Sequence, residues 1–203
     1  MFTLQEELNL LGFDDKELNK FYSFHDLVRS QVKGKFEQVI DLCAGNGLGG
    51  FLFNYYWFAE KSILVDIKKP KRFSKIAGLF KKYEMNFEYL EHDVNKLSIK
   101  EIAQARNSFI IGIHTCGSLS DRILQVAVEN NIPFALMPCC HENDFRAYRL
   151  QSPPDPRFLM YPDKADYFNL VRLQYAREKG YSCDILEISR KITPKNKVLI
   201  GVK

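Results

Sequence analysis

The sequence predicts an α/β fold: a seven-stranded, mostly parallel sheet with an antiparallel edge hairpin, helices on both faces and an N-terminal helical extension. Three observations carry this reading. Past residue 36, short apolar, β-branched runs alternate with segments of helical period, as in strands buried on both faces and joined by helical crossovers. The last two runs, 182–189 and 197–202, are linked only by Arg190 to Asn196, which is too short for a crossover and suits an antiparallel pair. The first run, Val39-Ile40-Asp41-Leu42, enters Cys43-Ala44-Gly45-Asn46-Gly47-Leu48-Gly49, a glycine-rich turn that opens a helix.

The elements follow in order. Thr3 with Glu6, and Asp14 with Glu17, form capping boxes for two N-terminal helices. Leu4, Leu8 and Leu11 share one face, and Leu18, Phe21, Leu27 and Val28 make a second stripe. Residues 1–33 read as a helical extension, used for packing or as a lid, and residues 34–203 as the main domain. Strands are predicted at 37–42, 62–67, 87–92, 108–114, 132–138, 182–189 and 197–202. Helices are predicted at 48–60, 71–83, 98–105, 119–130 and 164–179. No internal repeat or low-complexity tract interrupts them.

Composition bounds the function classes. With 203 residues, 46% of them hydrophobic, the chain can bury a sizeable core and is too apolar for disorder. No apolar run approaches the roughly 18–20 residues of a membrane helix. Met1-Phe2-Thr3-Leu4-Gln5-Glu6-Glu7 lacks the basic and apolar regions of a signal peptide. The five cysteines, an odd number, read as reduced thiols of a cytoplasmic protein. A net charge of +4 permits a nucleic-acid partner without demanding one.

The glycine turn points to a ligand. Gly45, Gly47 and Gly49 have no Cβ, so backbone can approach a ligand closely, and the helix that follows offers free N–H groups. Asp66 ends the next strand, Ser62-Ile63-Leu64-Val65, 17 residues beyond Gly49, where a carboxylate suits a ribose diol. Dinucleotides and S-adenosylmethionine share this geometry, and two details favour the latter. Asp41 precedes the glycines, where its charge suits an amino group and a sulfonium and would repel a pyrophosphate. The third strand, Phe87-Glu88-Tyr89-Leu90-Glu91, ends in His92-Asp93, which offers Asp93 to an adenine amino group; the alternative is a helix cap. Seven strands with a final hairpin also match the methyltransferase arrangement rather than the six-strand dinucleotide one. The predicted donor-binding residues are Asp41, Ala44, Gly45, Asn46, Gly47, Asp66, Ile67, Asp93, Val94 and His114.

A second cluster falls at the same sheet edge. Strand four ends in His114-Thr115-Cys116-Gly117, with Ser118 as the cap of a helix carrying Asp121, and strand five ends in Pro138-Cys139-Cys140-His141. If the strands are neighbours, two histidines and three cysteines converge. His114 or His141 then serves as a base or substrate orienter, Cys116 as a covalent nucleophile, or the group as a zinc site. The alternative is plain packing of small apolar thiols. No Cys-x-x-Cys pair supports zinc, so no metal is expected, and His114, Cys116 and His141 are the catalytic candidates. The Asn/Asp-Pro-Pro-Tyr/Phe signature of amide and exocyclic-amine methylation is absent after strand four.

His114-Thr115-Cys116-Gly117-Ser118-Leu119-Ser120-Asp121, followed by Pro138-Cys139-Cys140-His141, resembles the pattern in eukaryotic tRNA acceptor-stem ribose 2′-O-methyltransferases and the methyltransferase-domain group around them. The tail Thr193-Pro194-Lys195-Asn196-Lys197-Val198-Leu199 is similar too. The resemblance implies a Rossmann-like class I methyltransferase fold, S-adenosyl-L-methionine as methyl donor and RNA as a candidate acceptor; no membrane partner is expected, since no apolar run is long enough to span one. The tRNA enzymes carry N-terminal zinc-binding segments that this shorter chain lacks. The wider group includes members with other substrates, so a protein side chain, a small metabolite or a non-catalytic binding role stays open. The connection 141–163, with Arg146, Arg149 and Arg157, and the run Lys68-Lys69-Pro70-Lys71-Arg72 are each read as a phosphate track or a solvated face. The aromatic run Phe51, Phe53, Tyr55, Tyr56, Trp57 and Phe58 is read mainly as core.

Overall fold

The computed structural model describes residues 2–102, 107–115, 117–139, 150 and 164–203. Its strands are β1 (Phe36–Leu42), β2 (Ala59–Asp66), β3 (Asn86–Glu91), β4 (Ser108–Thr115), β5 (Phe134–Pro138), β6 (Ser182–Glu187) and β7 (Lys197–Val202). The helices are α1 (Leu4–Leu10), α2 (Asp15–Gln31), α3 (Leu48–Tyr55), α4 (Phe73–Lys82), α5 (Ile99–Ile102), α6 (Ser118–Glu129) and α7 (Lys164–Glu178). The strands form one sheet in the order β3-β2-β1-β4-β5-β7-β6. β3, β2, β1, β4 and β5 run parallel, and β7 is antiparallel to both β5 and β6. The predicted fold class is therefore what the chain adopts.

Period-two alternation assigns the faces. Ile40, Leu42, Ile63, Val65 and Ile110 point to one side and pack with Ile99, Ile123, Leu124 and Ala176 of α5, α6 and α7. Val39, Phe109, Ile111 and Ile113 point to the other and pack with Phe24 and Val28 of α2 and Phe53 of α3. α1, α3 and α4 close a third cluster over Leu64, with Leu8, Leu18, Phe51 and Phe80. Phe24, Val28 and Leu18 are fully buried, so α2 packs as a layer of the core. The first capping box forms as expected, with Glu6 N–H donating to Thr3 Oγ1 at 3.3 Å and Thr3 N–H to Glu6 Oε2 at 2.7 Å. At α2 only the Asp14 half forms, Glu17 N–H donating to Asp14 Oδ1 at 2.7 Å, because the Glu17 carboxylate is turned to Asn46 and Arg72.

Two local expectations are corrected. The predicted helix 48–60 stops at Tyr55, and β2 starts at Ala59 instead of residue 62. Trp57 takes a left-handed φ of 60°. Phe58 N–H then reaches back to Phe53 O at 2.9 Å, the helix-ending turn normally made by glycine. Ser118 does not cap α6. Gly117 takes that position with φ 53° and ψ −127°, which favours glycine, and makes no side-chain cap bond.

Strand order reverses between β1 and β4: β2 and β3 lie on one side, β4 and β5 on the other. Ligands of open α/β sheets bind beyond the carboxyl ends of the strands at such a switch point. The glycine loop, Asp66, His114, Thr115 and Cys139 lie at these strand ends.

Candidate active site

The donor half is built from the loop after β1. Cys43 turns left-handed (φ 66°), and Cys43 and Ala44 N–H both donate to Val65 O, at 2.9 and 3.0 Å, tying the loop to β2. Gly45 follows at φ 52°, and a Cβ there would meet nothing within 4 Å, so the residue faces open space. Its peptide is held from two sides. Gly45 N–H donates to Asp66 Oδ2 at 2.8 Å, and Tyr89 O–H donates to Gly45 O at 2.8 Å. Asp66 Oδ1 accepts from Ile67 N–H at 2.7 Å. The carboxylate is thus oriented by two backbone donors and keeps lone pairs for a third partner. Gly47 N–H closes the turn on Ala44 O at 2.8 Å, and Asn46 Oδ1 takes Leu48 N–H at 3.1 Å.

Three predicted donor residues have other work in this arrangement. Asp41 is only 2% exposed, and its Oδ2 accepts from Gly50 N–H at 2.9 Å. Gly47, the N-cap of α3, has no side chain, so Asp41 supplies from β1 the oxygen that a cap residue would supply. Burial pushes its carboxyl up to about 7, against the opposing pull of that N–H and with the added repulsion of Asp66. A Cβ on Gly49 would stand 2.7 Å from Asp41 Oδ2, so that glycine serves helix–strand packing rather than approach of a ligand. Asp93 Oδ1 accepts from Asn95 N–H at 2.9 Å and Asn95 Nδ2 at 3.1 Å, a local turn. Val94 is 4% exposed in the core, and Arg122 Nε donates to its carbonyl at 3.3 Å. Ile67 is 73% exposed at the edge.

The acceptor half centres on His114. The β4–β5 register slips between Ile113 and Thr115, and His114, at φ 61°, is the extra residue. Such a bulge at a strand end re-aims a side chain. His114 is turned out of the sheet, exposed, with its ring edge-on to Phe21 of α2 at 6.5 Å. Partial burial of the ring, then the charge of Lys20, push its imidazole down to about 4. Thr115 Oγ1 and Ser120 Oγ share a buried hydrogen bond of 2.9 Å. Asp121 pairs with Arg172 of α7 at 2.7 Å, and Arg172 also donates to Gly117 O at 3.2 Å. The turn after His114 is thereby anchored to α7. Cys139 is half-buried at the end of β5. Cys116, Cys140 and His141 lie outside the described residues, as do Arg146, Arg149 and Arg157. Among the described residues no group of three or more His, Cys, Asp or Glu is arranged to hold a metal ion. No described helix is long and apolar enough to cross a membrane.

α2 brings residues that sequence reading did not assign to the site. Asn46 Nδ2 and Arg72 Nη1 both donate to Glu17, each at 3.4 Å, bridging the glycine loop, α2 and the start of α4. Arg72 also stacks on Phe13 at 4.1 Å and donates to Gly12 O, so this end of the basic run anchors the N-terminal segment. The signal was present as a stripe: Glu17, Lys20, Phe21, Phe24 and Val28 share one helical face. Half of the aromatic run is core, with Phe51, Phe53 and Phe58 at most 1% exposed; Tyr55 is half-buried, and Tyr56, at 41%, and Trp57, at 74%, are exposed.

Solved structures share this architecture. An rRNA methylase from Streptococcus thermophilus aligns with TM-score 0.57 and 12% identity over 88% of this chain and 93% of that one. A SAM dependent methyltransferase from Aquifex aeolicus aligns with TM-score 0.57 and 13% identity over 99% and 98%. The tRNA methyltransferase TrmK of B. subtilis aligns with TM-score 0.53 and 12% identity over 90% and 64%. At these identities the likeness is one of fold. No curated protein matches the sequence. The model of a methyltransferase domain family matches residues 15–144, more than half of the chain and inclusive of α2, the glycine loop and the ends of β4 and β5; the chain belongs to that family and has the class I methyltransferase fold.

Proposed function

We propose that the protein is an S-adenosylmethionine-dependent methyltransferase that modifies RNA at a ribose 2′-hydroxyl. The observation that carries the donor is the open space at the left-handed Gly45 beside the oriented Asp66 carboxylate. A ligand with a small charged head and a ribose fits it: Ala44 to Gly47 receive the methionine end, and Asp66 and Ile67 the ribose. Asp93 and Val94 border the adenine end. Asp41 acts beneath the loop by holding the first turn of α3. When bound, the donor supplies an electrophilic methyl group on a sulfonium. Transfer is an in-line displacement, so placing the acceptor oxygen supplies much of the rate. An imidazole titrating near 4 is neutral at pH 7 and a weak base, which suits His114 to accepting a hydrogen bond from the acceptor hydroxyl and aiming it. RNA is favoured by the paired motifs ending β4 and β5 and by rRNA- and tRNA-modifying proteins among the structural neighbours.

The test is incubation with methyl-labelled donor and separate RNA, protein and metabolite fractions. Label released by ribonuclease and recovered as 2′-O-methyl nucleoside is the expected result; label confined to protein or metabolites refutes the acceptor. Asp66→Ala is expected to weaken donor binding about ten- to a hundredfold in calorimetry, since hydrogen bonds to a charged group contribute about 1.5–3 kcal/mol. Unchanged affinity removes Asp66 from the donor site.

A further inference from the structure

A groove of about 250 Å³ runs between α2 and the β6–β7 turn, lined by Asp14, Lys16, Glu17, Lys20, Ile192 and Thr193. One wall is the face of α2 that reaches the active site. Glu17 touches the donor loop through Asn46, and Phe21 touches His114. Lys20 lies between them on the same face, with Nζ 5.5 Å from the centre of the Phe21 ring. The other wall belongs to the tail whose Thr193-Pro194-Lys195 stretch resembles the tRNA-modifying group.

Lys20 is a half-buried ammonium, and no described carboxylate stands within ion-pair distance of it. The nearby acids are committed elsewhere: Asp14 caps α2 through Glu17 N–H at 2.7 Å, and Glu17 binds Asn46 and Arg72. Its burial lowers the lysine pKa in spite of those two charges, while Cys139 at the end of β5 lies within its field. A partly desolvated cation at the mouth of a site, near the Asp14 and Glu17 charges but in ion-pair contact with no described carboxylate, is complementary to an anion on the substrate. In RNA the 2′-carbon adjoins the carbon bearing the 3′-phosphate, so a group that holds that phosphate also fixes the 2′-hydroxyl.

We propose that Lys20 binds the phosphate next to the methylated ribose, and that the groove between α2 and the β6–β7 turn carries the RNA strand away from His114. This rests on the RNA reading above. The test compares wild type, Lys20→Met and Lys20→Arg, with unfractionated tRNA as the probe. Binding is measured across a salt series, and KM for RNA and for donor separately. Lys20→Met is expected to raise KM for RNA about three- to tenfold and leave KM for donor unchanged. The slope of log affinity against log salt should fall by about 0.7–0.9, the release of one counterion. Lys20→Arg should restore both. If wild type methylates tRNA while Lys20→Met keeps its salt slope and its KM for RNA, the Lys20 assignment is overturned and the function stands. A variant that loses donor affinity with an unaltered salt slope also overturns it, because Lys20 then has a structural role. If wild type neither binds nor methylates tRNA, the RNA reading fails first and this one with it.

Discussion

At the scale of single residues, His114 shows how backbone and charge set chemistry together. A bulge in β4 and a left-handed φ turn it out of the sheet, and partial burial of the ring and the charge of Lys20 hold it neutral. The sign of the shift makes a prediction. A histidine whose pKa is depressed from 6.5 to about 4 stays uncharged throughout the physiological range, so its ring signals in NMR should begin to move only below about pH 5. The pH profile of kcat should show no limb from this group near 6.5. His114→Ala should reduce turnover and spare donor binding. A titration centred on 6.5 would overturn the orienting role and restore a conventional base. The motif that marks His114 is legible in the sequence; its partners are not, because Phe21 and Lys20 lie more than 90 positions earlier and only the packing of α2 brings them there. Asp41 is the reverse case. Its spacing ahead of the glycines invites a ligand role, yet strand alternation already puts it on the face of Val39, under α3. Following that alternation through identifies it as a surrogate cap.

At the scale of elements, the fold is held near the site by a tie between helices distant in sequence. Arg172 is completely buried in α7, paired with Asp121 in α6 at 2.7 Å and bonded to Asn169 and to the Gly117 carbonyl. Removing one partner of such a pair strands the other charge in the interior and costs about 3–5 kcal/mol. Arg172→Met should lower the stability read from chemical denaturation by that order, and the double variant Arg172→Met/Asp121→Leu should be less damaged than the sum of the single ones. A loss under about 1 kcal/mol would mean that α6 and α7 can repack around the lone aspartate. Helix existence was legible throughout from period and caps. The end of α3 was not, because its stop signal is an exposed tryptophan in a conformation usually reserved for glycine, a cost that this sheet-facing turn imposes. The arginine–aspartate tie was equally hidden: an arginine in a helix reads as a solvated residue, and only the assembled layers reveal it as fully buried.

At the scale of the whole molecule, the strand count and the closing hairpin were readable from run lengths and the short Arg190–Asn196 link, and with them the sheet edge where chemistry occurs. The three-layer packing, with α2 as a structural layer, depends on contacts that no local pattern encodes. Global stability should record one of those contacts. Asp41 sits between β1 and α3, and its carboxyl is raised from 3.8 to about 7. The folded protein therefore binds that proton more tightly than the unfolded chain does. The group's contribution is fully present below about pH 4 and is lost as pH rises towards 7, with a slope of at most about 1.4 kcal/mol per pH unit for one proton. His25 acts in the opposite sense. Burial among Phe53 and Tyr56 lowers its pKa, so its contribution rises with pH through the range below 6.5. The measured curve sums both, and a difference experiment separates them. Asp41→Asn keeps an oxygen for Gly50 N–H and removes the titration. Unfolding free energies of the variant and of wild type should therefore diverge between pH 4 and pH 7, the variant gaining relative to wild type as pH rises while the His25 component cancels. Parallel curves across that interval would mean that Asp41 is ionised in the native protein from pH 4 upwards, and that the cap on α3 is a charged one.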